Sequence, residues 1–267
     1  MRILITGGSG FIGSRLVESI SEKYEIEAPT HQELDLTSRS DVDYFFEFKK
    51  FDLVIHCAIQ GGKSHIKDDS SVFYNNVNMF ANIIRNKRSF SHMINFTSGY
   101  ELENNKDLFE SFPDNYYGLS KNIISRICSQ HETVINLRLF GLFGENEYAG
   151  RFVKKSINNS LLNLPIEIYQ DIFWDFLYID DLVLCVSQIL EDPKKYPKSF
   201  DLVYTDKIRF SDVADLIKKI SGSESKIIIG SEKNNNDYLG DGKTVKEKMP
   251  NLMGVELGLM KMISNIS

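Results

Sequence analysis

An α/β fold built on a doubly wound parallel sheet is predicted for this 267-residue chain by three observations. A short apolar run, Arg2 to Thr6, leads into glycines at 7, 8, 10 and 13, then into a helical pattern in which Phe11, Ile12, Leu16, Val17 and Ile20 share one side. Further short apolar runs alternate with helical patterns as far as Leu139, the rhythm of parallel strands joined by crossover helices. No internal repeat or low-complexity stretch interrupts it.

The first element pair carries chemistry. Gly7 and Gly10 let the backbone turn sharply and approach a pyrophosphate with no Cβ in the way, and Gly13 lets the helix sit close to the strand. The first-turn N–H groups, those of Phe11 and Ile12 among them, then face the phosphates together with the helix dipole. A Rossmann-type dinucleotide-binding domain over residues 1–140 is expected, with a small C-terminal α/β substrate lobe over 141–267 and some segments of about 170–200 returning to the first domain.

A second strand, Glu25 to Pro29, ends in the turn Thr30-His31-Gln32. The tip of this strand meets the adenosine ribose, where a carboxylate favours NAD and its absence or a cation admits NADP. Thr30 and His31 stand there, with Arg15 nearby, so NADP is expected and NAD is the alternative; Asp35, followed by Leu36, is placed to meet the adenine edge. A helix over Ser40 to Lys50 precedes a third strand, Phe51 to Cys57, where Cys57 and Ala58 suit close approach of a cofactor and His56 reads as structural. A helix from Ser70 to Arg88 carries Asn76 and Asn82, and a fourth strand, Ser91 to Thr97, closes on Ser98-Gly99-Tyr100. A helix from Asn115 to Gln130 and a fifth strand, Thr133 to Leu139, complete the domain.

Composition excludes several classes. A net charge of −6 with no basic stripe argues against nucleic acid. Met1 leads directly into a core strand and no apolar run approaches the ~20 residues of a membrane span, so a cytoplasmic protein is expected. Cys57, Cys128 and Cys185 lie in apolar runs and read as reduced core residues, with no metal site. The tail beyond Ser221 is short and Asn-rich at Asn234 to Asn236.

Tyr117 and Lys121, four residues apart on the predicted helix, project from one face. A cation held beside a phenol lowers its pKa, so that it gives or takes a proton near neutral pH while hydride moves to or from a carbon. Ser98, at a neighbouring strand end, can hold the substrate oxygen.

These features jointly resemble the extended short-chain dehydrogenases/reductases of the NAD-dependent epimerase/dehydratase family, which act on nucleotide sugars. The resemblance rests on Thr6 to Gly13, Asn76 and Asn82, Thr97-Ser98, Tyr117 with Lys121, Leu137 to Gly141, and Asp175 to Asp181. It implies a catalytic set of Ser98, Tyr117 and Lys121 supported by Asn76, and a homodimer through the helices Ser70 to Arg88 and Asn115 to Gln130.

Departures narrow the reaction. The family's dehydratases place Asp-Glu after the strand-end Thr, where this chain has Ser98-Gly99. The segments Pro29 to Leu36 and Ala58 to Gly62 are most similar to the GDP-fucose synthase branch, whose Cys and His acid/base pair is replaced by Tyr100 and Arg151. An NADPH-dependent 4-keto reductase is expected, with a redox-neutral 4-epimerase or a non-catalytic dinucleotide-binding protein as alternatives. The family's Asn and Arg near the sugar diphosphate are Gly141 and Trp174, so the substrate residues are Ser98, Gly99, Tyr100, Arg151 and Trp174, with Lys154 and Lys155 as further cations. Asp180 and Asp181 are expected to cap the helix that follows.

Overall fold

The apolar run at the start of the chain becomes a strand because Ile3, Leu4 and Ile5 are wholly removed from solvent between two layers of helices. The computed structural model describes residues 1–62, 66–102, 107–231 and 236–266. Asn234 and Asn235 of the Asn-rich tail lie outside the described residues. The chain runs β1 (Arg2–Thr6), α1 (Phe11–Ile20), β2 (Glu25–Glu27), α2 (Arg39–Glu47), β3 (Phe51–His56), α3 (Ser70–Arg85), β4 (Phe90–Ser98), α4 (Tyr116–Cys128) and β5 (Val134–Leu139). It continues through β6 (Gly141–Phe143), α5 (Phe152–Leu161), β7 (Ile166–Ile168), β8 (Phe173–Trp174), β9 (Phe176–Tyr178), α6 (Ile179–Glu191), β10 (Ser199–Asp201) and β11 (Ile208–Arg209). It ends with α7 (Phe210–Ser221), β12 (Ile227–Ile229), α8 (Lys243–Lys248) and α9 (Gly254–Ile266).

Two compact units result, Met1–Leu139 with Ile189–Phe200, and Phe140–Gln188 with Asp201–Ser267. The return to the first unit is thus Ile189–Phe200, shorter than the 170–200 expected. One six-stranded sheet has the order β10-β5-β4-β3-β1-β2. β1 pairs in parallel with β2 and β3, β3 with β4, and β4 with β5. Parallel neighbours need crossover connections, which the helices α1 to α4 supply. The order reverses at β1, so the crevice outside the carboxyl ends of β1 and β3 is the switch point where such sheets hold ligands.

Val42 and Phe46 of α2, Met79, Phe80 and Ile83 of α3, and Ile124 and Cys128 of α4 close on Leu4, Val54 and Met93 as one buried cluster. Each such side chain contributes about 2 kcal/mol through burial. The start of α4 is set by Asn115, whose side-chain oxygen accepts from the Gly118 N–H at 2.6 Å. That cap determines which helix face presents Tyr117 and Lys121.

In the second unit β6 pairs with β9 and β7 with β12 in parallel, and β8 with β11 antiparallel. Asp175, 3% exposed, accepts from Lys207 Nζ at 2.8 and 2.9 Å and from the Gly240 N–H at 2.7 Å. Asp180 and Asp181 lie inside the first turn of α6, not at its cap. Asp181 instead accepts from the Met253 and Gly254 N–H groups at 2.9 and 3.0 Å, fixing the start of α9, and from the Tyr204 hydroxyl. It is a packing clamp, which corrects the capping expectation.

Glu147 is 4% exposed; its Oε1 has no hydrogen-bond partner among the described residues, and its Oε2 lies 3.3 Å from Arg151 Nε. Burial pushes its carboxyl up from 4.5 to about 7, against the pull of Arg151. The folded pKa stands above the unfolded one, so the stability tied to the protonated form is complete below 4.5 and is lost as pH rises through about 7. Glu147→Gln is therefore expected to leave the melting temperature near that of wild type at pH 5 and to raise it at pH 8, by the equivalent of up to about 3 kcal/mol. Thermal unfolding at the two pH values checks this; an equal difference at both would contradict it.

Candidate active site

Gly7, directly after β1, has φ +68°, and a Cβ there would sit 2.6 Å from the Ala58 nitrogen beyond β3. A Cβ at Gly13 would lie 2.2 Å from the Gly7 carbonyl oxygen, so the third glycine lets α1 approach the strand end. The Gly10 N–H donates to the Gly7 carbonyl at 3.0 Å, closing the turn. Gly10 is the N-cap of α1, and no side chain caps that helix. The donors at its first turn, Phe11 and Ile12 included, are thus left to an anion. A cradle that side chains would fill, walled by main-chain N–H groups at a helix N-terminus, fits a dinucleotide pyrophosphate. Cys57 and Ala58 form the opposite wall, with the Cys57 N–H donating to the Thr6 carbonyl at 3.1 Å and burial pushing the Cys57 thiol up.

The turn after β2 differs from the expectation in one respect. It does carry a carboxylate: Glu33 accepts from the Thr30 N–H at 2.8 Å and from the Thr30 hydroxyl at 2.9 Å. His31 is exposed, Arg15 pairs with Glu18 at 2.7 Å, and Asp35 Oδ1 is bound by the Thr37 N–H and hydroxyl at 2.9 and 2.7 Å. Leu36 is a core residue whose carbonyl accepts from Asn82 at 2.9 Å.

Tyr117 and Lys121 share one face of α4, with the ammonium 5.8 Å from the phenol ring centre. Lys121 is 6% exposed and its Nζ donates to the Phe96 carbonyl at 2.6 Å. Burial pushes its pKa down to about 8, against the opposing pull of Glu101. His56 is also buried; its Nδ1 lies 2.7 Å from Thr6 Oγ1, and burial with the nearby Lys121 charge drives its pKa down to about 3. It is neutral throughout the working range and structural, as expected.

Ser98 ends β4, and its Oγ accepts from the Tyr100 N–H at 3.3 Å. Gly99 is buried, while Tyr100 is exposed and its ring meets that of Tyr117 edge-on at 6.4 Å. Asn76 does not stand among these groups by itself. Its amide clasps Gln60, accepting from the Gln60 N–H at 2.8 Å and donating to the Gln60 carbonyl at 3.0 Å, and donates to Ser120 Oγ at 3.1 Å. That clasp holds the loop after β3 on the phenol: Gly62 has φ +69°, and a Cβ there would lie 2.7 Å from Tyr117 Cε2.

The remaining substrate candidates belong to the second unit. Trp174 packs against Tyr238 and Phe210, at 4.3 and 5.6 Å between ring centres. A Cβ at Gly141 would lie 2.3 Å from Trp174 Nε1, so the glycine and the indole require each other. Arg151 is half-exposed beside Glu147, Lys154 donates to the Glu145 carbonyl at 2.5 Å, and Lys155 pairs with Glu167 at 2.9 Å.

Besides Glu33, a second residue was missed from the sequence. Glu101, two positions past Gly99, is wholly buried and paired with Arg138 at 2.6 Å. Its only sequence signal is a carboxylate set among buried positions after β4, with an arginine in β5.

Comparison with known proteins gives the family and the fold. The family described as NAD dependent epimerase/dehydratase matches residues 3–202. A GDP-6-deoxy-D-talose 4-dehydrogenase from Aggregatibacter actinomycetemcomitans is 28% identical over 222 residues, 72% of this chain and 72% of that protein. A GDP-L-colitose synthase from Yersinia pseudotuberculosis is 21% identical over 265 residues, covering 87% and 86%. The solved structure of a GDP-mannoheptose C4 reductase from Campylobacter jejuni with NADP bound superposes with a TM-score of 0.86 at 20% identity, over 98% of this chain and 97% of that one, which is a likeness of fold. The chain belongs to the NAD-dependent epimerase/dehydratase family and is an NAD(P)-dependent enzyme of the extended short-chain dehydrogenase/reductase type.

Proposed function

We propose that the chain is an NADPH-dependent reductase of a nucleotide-linked 4-keto-6-deoxy sugar, of the kind built into surface polysaccharides, with Tyr117 as proton donor to the C4 oxygen. The observation that carries this is the buried Lys121 ammonium 5.8 Å from the Tyr117 ring, on the same helix face. NADP is supported by the exposed His31 beside Thr30 and by the reductase relative with NADP bound. Absence of a Cys/His pair at Tyr100 and Arg151 disfavours epimerisation beside the ketone. On this reading Gly7, Gly10, Phe11, Ile12, Gly13, Cys57 and Ala58 hold the cofactor in the first unit, and the second unit binds the substrate. The protein acts in the cytoplasm, as a homodimer through α3 and α4, whose Tyr74 and Tyr116 side chains are exposed.

The nicotinamide supplies the hydride when bound. Ser98 holds the sugar oxygen at the end of β4. The Lys121 cation stabilises the tyrosinate that Tyr117 becomes, which lowers the barrier to proton release. His56, neutral at working pH, does not compete for that proton.

The second reading is a redox-neutral 4-epimerase with tightly bound NAD. Glu33, held at the β2 turn by Thr30, is the observation in its favour, because a carboxylate there suits an unphosphorylated ribose. Purified protein incubated with NADPH and 4-keto-6-deoxy sugar nucleotides decides between them. Consumption of NADPH is expected; stoichiometric bound NAD with no consumption would overturn the reductase reading. A thermal-shift panel of NADPH, NADH and GDP-, CDP-, UDP- and dTDP-sugars then names the nucleotide, because a ligand of the native state raises the melting temperature.

Two variants test the roles. Tyr117→Phe is expected to lower kcat by about a thousandfold with unchanged NADPH affinity. Gly7→Ala forces a side chain into a left-handed conformation against the Ala58 backbone, and is expected to cost about 1–3 kcal/mol and to abolish the NADPH-induced thermal shift. Undiminished turnover in the first variant, or an undiminished thermal shift in the second, removes the corresponding assignment.

A further inference from the structure

Behind Tyr117 and Lys121 lies a polar network that the proton transfer itself does not use. Glu101 closes a short turn (Gly99–Glu101) after β4 and is 0% exposed. Its Oε1 accepts from Arg138 Nε of β5 at 2.6 Å. Its Oε2 accepts from the hydroxyls of Thr97 on β4 and Ser125 on α4. Its main-chain carbonyl accepts from Asn122 of α4 at 2.9 Å. Ser125 in turn accepts from Asn136 Nδ2 at 2.8 Å, and Asn136 accepts from Asn95 Nδ2 at 2.6 Å.

One carboxylate thus joins the strand end that carries Ser98, the neighbouring strand, and the helix that carries Tyr117 and Lys121. Ser125 is one turn beyond Lys121 on α4, so the contact to Oε2 fixes the rotation of the face that presents both. The Arg138 guanidinium donates to one oxygen of Glu101, and the hydroxyls of Thr97 and Ser125, themselves 3.1 Å apart, turn to the other, an arrangement that suits an ionised carboxylate.

Among the described residues, the titratable groups whose charges act on Lys121 are Glu101 from the turn after β4 and the thiols of Cys57 and Cys128; the phenol ring of Tyr117 lies 5.8 Å from its ammonium, and the His56 imidazole feels its charge. Burial holds both thiols protonated and His56 neutral. Glu101 is the carboxylate in this set: burial pushes its pKa up, and Arg138, which faces it from the other side, together with the Ser125 and Thr97 hydroxyls, pulls it back down.

We propose that Glu101 is a positioning residue for the Tyr117–Lys121 pair: its carboxylate locks the end of β4 against α4 and keeps the buried Lys121 ammonium charged. This deepens the reading of Tyr117 and Lys121 as the proton-donating pair. Glu101→Gln keeps the shape and removes the charge, so Lys121 loses its proton at lower pH and the phenol loses its cation with it.

Lys121 can be followed without substrate. In protein labelled with lysine carrying 13C at the ε-carbon, the Lys121 signal is assigned by its disappearance in Lys121→Met. In Glu101→Gln its titration midpoint is expected to fall by about one pH unit from a wild-type value near 8. Glu101→Asp, which restores the charge, is expected to bring the midpoint most of the way back. The alkaline limb of kcat moves with the midpoint, while KM for NADPH is unchanged. An unmoved midpoint, with activity lowered equally at every pH, would mean a merely structural role and overturn the proposal. Should Glu101→Gln fail to fold, Ser125→Ala decides. It removes one donor and makes the carboxylate easier to protonate, so a smaller fall in the midpoint is expected and none would overturn the proposal. Wild-type protein that consumes no NADPH with any 4-keto sugar nucleotide overturns the reductase reading instead, and leaves the titration to decide this one.

Discussion

Gly7 at the end of β1 and Ala58 beyond β3 approach so closely that a single methyl group on Gly7 would lie 2.6 Å from the Ala58 nitrogen. The first unit is arranged around this contact. It occurs where the sheet order reverses, so α1 and the β3–α3 loop leave in different directions and their backbones line an open crevice. The same closeness ties the two strand ends together: the Cys57 N–H donates to the Thr6 carbonyl at 3.1 Å and the Ala58 N–H to Thr6 Oγ1 at 3.4 Å. The Asn76 clasp on Gln60 extends the wall formed by Cys57 and Ala58 as far as the phenol of Tyr117.

Beyond this wall the chemistry depends on keeping charge where it is expensive. An ammonium as buried as Lys121 loses most of its hydration, and one carbonyl bond to Phe96 does not replace it. On the other side of the β4 end the Glu101 carboxyl is paired with Arg138 at 2.6 Å, and its pull opposes the fall that burial imposes on Lys121, while burial raises the pKa of Glu101 itself. A pKa near 8 follows: the lysine is mostly charged at neutral pH, yet weakly enough hydrated to act strongly on its neighbour. His56, with no anion at hand, takes the other outcome and stays neutral.

This contrast explains what was legible in the sequence. The glycine turn and the Tyr117–Lys121 spacing are local patterns, set by one strand end and one helix pitch, and both can be read directly from residue order. The parallel sheet could be read because its central strands β1, β3, β4 and β5 are largely buried apolar runs. Glu101 could not, because its partners come from β4, α4 and β5, and nothing in its own neighbourhood announces them. Glu33 was passed over because it stands three residues beyond Thr30, and only a folded turn returns its carboxylate to that residue. Asp181 looked like a helix cap by position, yet its acceptors are used by N–H groups more than seventy residues away.

Gly141 and Trp174 look in the sequence like two separate losses of polar groups. In the fold they are a single change, since the indole nitrogen occupies the space that any side chain at 141 would need. Neither position can return to a polar residue alone: a side chain at 141 collides with the indole, and removing the indole strips a ring from Tyr238 and Phe210. Around them the cationic side chains of α5 are already engaged, Arg151 by Glu147, Lys154 by a carbonyl and Lys155 by Glu167. This part of the second unit thus offers packed rings and paired cations in place of the free polar groups the sequence comparison led one to look for.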